Sequence, residues 1–87
     1  MNATYVNNGT AYPCQVLRAI NYNGFTEIEV RFTGKSRSVL QASGSHAWVL
    51  PSQLHRVGAV KKTRGGGVIT KDPVSRVAFL QSLPTPV

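Results

Sequence analysis

At 87 residues the chain has room for one small domain, which buries only about 60% of the surface its unfolded form exposes, so its core needs a closed sheet, a docked C-terminal segment or a second copy of the chain to support it. Ten Lys and Arg against three acidic residues give a net charge of +7. Charge of that sign gathers polyanions, nucleic acid first, with an acidic protein or an anionic membrane surface as rivals, although a basic surface also serves solubility alone.

The single Cys14 excludes an internal disulfide framework, and two histidines leave no zinc set. No apolar run approaches the ~20 residues that span a bilayer, and residues 1–5 carry neither the basic nor the apolar region of an export signal. The expectation is a soluble chain in a reducing, cytoplasmic setting, without cofactor or membrane contact. The acceptor patterns Asn2-Ala3-Thr4 and Asn8-Gly9-Thr10 are then chance matches in an Asn-rich start.

Residues 1–10 are polar, with only Tyr5 and Val6 as apolar anchors, and read as a flexible lead-in or a short edge strand. From Tyr12 the pattern alternates, placing Tyr12, Cys14 and Val16 on one face and Pro13, Gln15 and Leu17 on the other. Arg18 breaks the alternation, which signals a bulge or a charged residue at an open end. Asn21-Tyr22-Asn23-Gly24 is a strong turn signal because Asn and Gly tolerate positive φ. Residues 25–32 then have a clear period of two, with Ile28, Val30 and Phe32 facing one way and Glu27, Glu29 and Arg31 the other. A carboxylate pair is the minimum for glycoside hydrolysis. On an open strand surface, Glu27 and Glu29 read instead as partners for nearby cations.

Thr33-Gly34-Lys35-Ser36-Arg37 is a second turn with two cations at its tip. Its Gly-Lys-Ser triplet matches the end of a phosphate-binding loop, but the residue six before Lys35 is Glu29 rather than glycine and no helix pattern follows. Residues 38–42 read as a strand, and Ser43-Gly44-Ser45 turns the chain into another, Ala47 to Leu50. Pro51 cannot donate to a sheet ladder, so it ends that strand and suits a 3₁₀ turn through Ser52 and Gln53, after which Leu54 returns to the core and Val57 closes a last strand.

This run, Trp48-Val49-x-x-Ser52-x-Leu54 with its Pro51-Ser52 pair, resembles the end of SH3-like small barrels, including the C-terminal DNA-binding domains of retroelement integrases and Tudor- and KOW-type modules. The resemblance spans about residues 12–57 and implies a five-stranded SH3-like barrel over residues 11–57. It leaves function to be argued from the surface.

Residues 58–71 carry Lys61, Lys62, Arg64 and Lys71 around three consecutive glycines without apolar periodicity, and read as a basic arm or loop, with Val68-Ile69-Thr70 able to add a strand. In residues 72–87, Asp72 suits an N-cap and Pro73 the first position of a helix of about ten residues that Pro84 stops. Val74, Val77 and Ala78 share one face of it, widened by Phe79, Leu80 and Leu83, with Arg76 on the wet side; so short a helix must dock.

These features point to a non-catalytic nucleic-acid-binding module, DNA before RNA, in which Lys35, Arg37 and Arg56 line a barrel edge while Lys61, Lys62, Arg64 and Lys71 track the phosphate backbone. Trp48, Tyr22 and Phe25 are candidate stacking residues, against a packing role for Trp48 and an end-shielding role for the other two. A Tudor-type aromatic cage needs more aromatics than these two bring to the turn. The alternative is a protein-interaction or inhibitor module of phage or plasmid type, bound to an acidic protein. A homo-oligomer fits either reading. Two isolated histidines and three acids offer no nucleophile, base and orienter, which argues against an enzyme.

Overall fold

A computed structural model describes residues 1–63, 66–69 and 73–86, and of 61–63 and 66–69 the backbone alone. The fold is mainly β. Five antiparallel strands, β1 (Asn2–Asn7), β2 (Thr10–Tyr22), β3 (Phe25–Phe32), β4 (His46–Val49) and β5 (Leu54–His55), form one sheet in the order β4-β3-β2-β1-β5. A two-stranded sheet, β6 (Val60–Thr63) with β7 (Gly66–Ile69), and one helix, α1 (Pro73–Ser82), complete it. No ladder among the described residues joins β4 to β5, so by hydrogen bonding the sheet is open rather than a closed barrel.

Two Asn-Gly pairs set the first two hairpins. Asn8 and Gly9 have φ of 50° and 75°, Asn23 and Gly24 of 49° and 82°, so both central residues of each turn are left-handed, which matches the twist of the flanking strands. The first turn corrects the expected flexible lead-in: β1 pairs with β2 along its whole length, from Asn2 opposite Gln15 to Asn7 opposite Thr10, and with β5 on its other side. It is neither frayed nor an edge. Ala3 and Tyr5 alternate into the core, and that spacing holds the strand despite its polar neighbours.

The register shifts between Val16 and Arg18, where the sequence breaks its alternation, and a bulge at Leu17 carries the extra residue. Before it Cys14 and Val16 point inward; after it Ala19 does. With Ile28, Val30, Phe32, Val49, Leu54 and Phe79 these residues form one core, in which Tyr5, Tyr12 and Phe32 cluster with ring centroids 5.7–6.1 Å apart.

Several expectations need correction. Residues 38–42 are not a strand: Val39–Gln41 is a 3₁₀ turn, closed by Gln41 N–H to Ser38 O at 3.2 Å, because local Ser and Gln bonds satisfy this backbone and no ladder among the described residues takes it up. Val57 does not close a strand; β5 ends at His55, and Gly58, at φ 86°, turns the chain while Val57 stays exposed. The arm expected over residues 58–71 contains a hairpin, with Val60 opposite Ile69 and Thr63 opposite Gly66. As expected, Pro51–Gln53 is a 3₁₀ turn; Leu50 N–H donates to Gln53 Oε1 at 3.0 Å, and Leu54 is fully buried.

Helix α1 starts at Pro73 as its sequence predicts, but the docked face is different. Phe79 is buried and Leu83 rests on the core, whereas Val74 and Val77 are 80% and 53% exposed. Arg76 is not on the wet side. Its guanidinium donates to the carbonyls of Leu54, Pro51 (3.2 Å) and Ser52 (3.4 Å) and lies 3.2 Å from His55 Nδ1, so carbonyls of the 3₁₀ turn and of the strand after it hold the helix in place. His55 is buried beneath it.

Candidate nucleic-acid interface

Ladder register places the predicted cations. His55 is level with Thr4, Thr4 with Pro13, and Thr33 N–H donates to Pro13 O at 3.1 Å, so β3 and β5 finish on one row, but they run antiparallel and leave it in opposite directions along the strands. Three strand spacings, about 14 Å, separate them. Lys35 and Arg37 in the loop after β3, and Arg56 after β5, are exposed, and no ion pair or hydrogen bond among the described residues engages their side chains. Lys61 and Lys62 follow on β6. Their side chains, Arg64 and Lys71 lie outside the described residues.

The other described cations are occupied. Arg18 Nε pairs with Glu29 Oε1 at 3.0 Å and lies 5.1 Å from the Trp48 ring centroid; Arg31 Nη2 donates to Gln15 Oε1 at 3.0 Å; Arg76 anchors α1. Glu29 also faces His46 Nδ1 at 3.8 Å. The outer face of β2-β3-β4, where Arg18 and Arg31 stand with Glu27 and Glu29, is thereby close to neutral, and Lys35, Arg37 and Arg56 are the described cations whose side chains no described partner holds. Sequence reading places Arg18, Arg31 and Arg76 among the cations without showing that they have partners, because each partner lies on another strand or turn.

The three candidate stacking residues are all exposed: Tyr22 60%, Phe25 67% and Trp48 40%. Trp48 stands opposite Glu29 on the outer face, since Val49 takes the inward position; it is a surface residue, not a core one. Tyr22 and Phe25 pair across the tip of the β2-β3 hairpin, beyond the rows that β1 and β4 cover. The structure does not bring them to the cations: from Phe25 to Thr33 is eight strand positions, about 26 Å. Trp48 is about half as far from that end.

The described residues contain no cluster of three or more His, Cys, Asp or Glu able to hold a metal, and no helix long and apolar enough to cross a membrane. Cys14 is buried, its thiol pushed up to about 11 by loss of solvent. It is a core residue. Comparison with family models, curated proteins and solved structures gave no match to this chain.

Proposed function

We propose that the chain is a small, non-catalytic, cytoplasmic nucleic-acid-binding protein that grips the phosphate backbone, of DNA before RNA, through the exposed cations Lys35, Arg37 and Arg56 and those of residues 61–71. One observation carries this: the side chains of Lys35, Arg37 and Arg56 have no hydrogen-bond or ion-pair partner among the described residues, whereas Arg18, Arg31 and Arg76 are engaged internally. Free cations on a chain of net charge +7 attract a polyanion, and exposed backbone phosphates need no base-specific geometry to bind them. The strand order, with a 3₁₀ turn between β4 and β5, supports an SH3-like small barrel as its scaffold.

The test is a fluorescence-anisotropy titration with labelled duplex DNA over a salt series. Neutralising about five phosphates gives a slope of log K against log salt near −4.5, and Lys35→Gln with Arg37→Gln makes it shallower by about 2. No binding at low salt refutes the reading.

The exposed aliphatics Val74 and Val77 on α1 favour a second reading, a protein-interaction or inhibitor module that docks an acidic partner by this helix. Val74→Ser with Val77→Ser separates the two. Loss of complex formation in cells with nucleic-acid binding retained assigns the helix face to a protein.

A further inference from the structure

The loop that carries Lys35 and Arg37 also holds out two aliphatic side chains: Val39 is 85% exposed and Leu40 75%. They sit on the 3₁₀ turn Val39–Gln41, and its bonds are local and polar. Ser38 N–H donates to Ser36 Oγ at 3.1 Å, Ser38 Oγ bonds the Gln41 side chain, Ala42 N–H reaches Val39 O at 3.4 Å and Ser45 N–H reaches Ala42 O at 2.9 Å. The base of the loop is tied to the sheet by Gly44 N–H to Phe32 O at 2.7 Å and Phe32 N–H to Ser45 O at 2.8 Å. Gly34 lies so close to the Pro13 ring that a Cβ there has no room. The turn is therefore presented in a fixed shape, and none of its bonds covers the two side chains.

Residues 33–45 contain no acid, and apart from Lys35, Arg37, Val39, Leu40 and Gln41 only Thr, Ser, Ala and Gly. A polyanion meets no carboxylate within this loop. We propose that Val39 and Leu40 form an apolar wedge that enters the minor groove of duplex DNA and kinks it, while Lys35 and Arg37 hold the phosphates beside the groove. This rests on the nucleic-acid reading above and makes it more specific: the ligand is a duplex, and it is bent. Aliphatic side chains cannot read base edges by hydrogen bonding, but they can part a base step, and the strain of unstacking is offset by the added contact of a bent duplex. A turn of three residues suits a groove only about 6 Å wide, where a helix does not fit.

The experiment uses the full chain and a duplex labelled at both ends for energy transfer, with binding followed by anisotropy in parallel. The wild type should bend the duplex by about 20–90°. Val39→Ser with Leu40→Ser leaves the charge unchanged; it should lose the bend and bind about tenfold more weakly at an unchanged salt slope. Both side chains are exposed, so the variant should melt as the wild type does. Binding without bending by the wild type, or equal bending by the variant, overturns the wedge and leaves the phosphate reading standing. Absence of binding to any nucleic acid overturns both. Co-sedimentation with phosphatidylserine-containing vesicles that depends on Val39 and Leu40, without duplex bending, assigns the pair to a bilayer and likewise overturns the wedge.

Discussion

Replacing Arg76 by Ala tests whether one guanidinium holds helix α1 to the sheet. The side chain donates to the carbonyls of Leu54, Pro51 and Ser52 and covers the Phe79 ring at 5.8 Å. Charge-assisted hydrogen bonds contribute about 1.5–3 kcal/mol each when their acceptors are otherwise dry. Only the Leu54 carbonyl, next to a fully buried side chain, qualifies in full; the contacts to Pro51 and Ser52 are long, and Ser52 is exposed, so water replaces most of what they give. A loss of about 3 kcal/mol follows, which in a domain this small lowers Tm by about 12–24 °C. Arg76→Lys keeps the charge, but a single ammonium cannot span three acceptors, so about half the loss should remain. Urea midpoints and calorimetry measure both variants. An Arg76→Ala protein within about 0.5 kcal/mol of the wild type refutes the anchor, and an Arg76→Lys protein equal to the wild type shows that charge rather than the forked geometry matters.

Three other outcomes follow from the same structure. Burial first, and Arg76 second, hold His55 below its usual value, so the unfolded chain takes up the proton first; stability should be full above about pH 6.5, fall as pH drops from there towards the lower folded value, and flatten beneath it. A series of melting curves from pH 8 to 5 should show that fall, and His55→Gln should reduce it. Cys14, with its thiol raised to about 11, should react with a thiol reagent at neutral pH only as fast as the protein opens, so labelling that matches a free thiol's rate in the native state contradicts its burial. Gly34→Ala sets a methyl against the Pro13 ring, and the loop of Lys35 and Arg37 must shift; weaker duplex binding and a lower Tm are expected, measured by anisotropy and calorimetry.

Much of the sheet is legible in the sequence because its signals are local. The alternation of residues 25–32, the break at Arg18, Asn23-Gly24 and the stop at Pro51 each act within a few residues and appear where expected. The misses have long-range causes. Strand β1 is hidden by its polar composition, since only Ala3 and Tyr5 reach the core, although the Asn8-Gly9 pair that closes its hairpin is the same signal read correctly at Asn23-Gly24. Residues 38–42 look apolar enough for a strand, yet no ladder among the described residues takes them up. In α1 both faces carry aliphatics, and what decides between them is the row of carbonyls at Pro51, Ser52 and Leu54 that Arg76 reaches from 22–25 residues away, which no periodicity encodes. Of the candidate interface, the cations Lys35, Arg37 and Arg56 could be named from composition, but their separation from Tyr22 and Phe25 emerges only from strand register.

The ladder between β1 and β5 consists of two residue pairs, Thr4 with His55 and Tyr5 with Leu54. During synthesis β1, β2 and β3 can zip up as each tight turn leaves the ribosome, because their contacts are close in sequence. The outer side of β1 then waits, unpaired, until the chain has been extended through residue 55, and closing so long a loop is slow. A nascent or stalled chain in that interval offers a bare strand edge to its neighbours. Translation speed between residues 34 and 53 should therefore govern how much of this protein reaches the cell folded rather than aggregated.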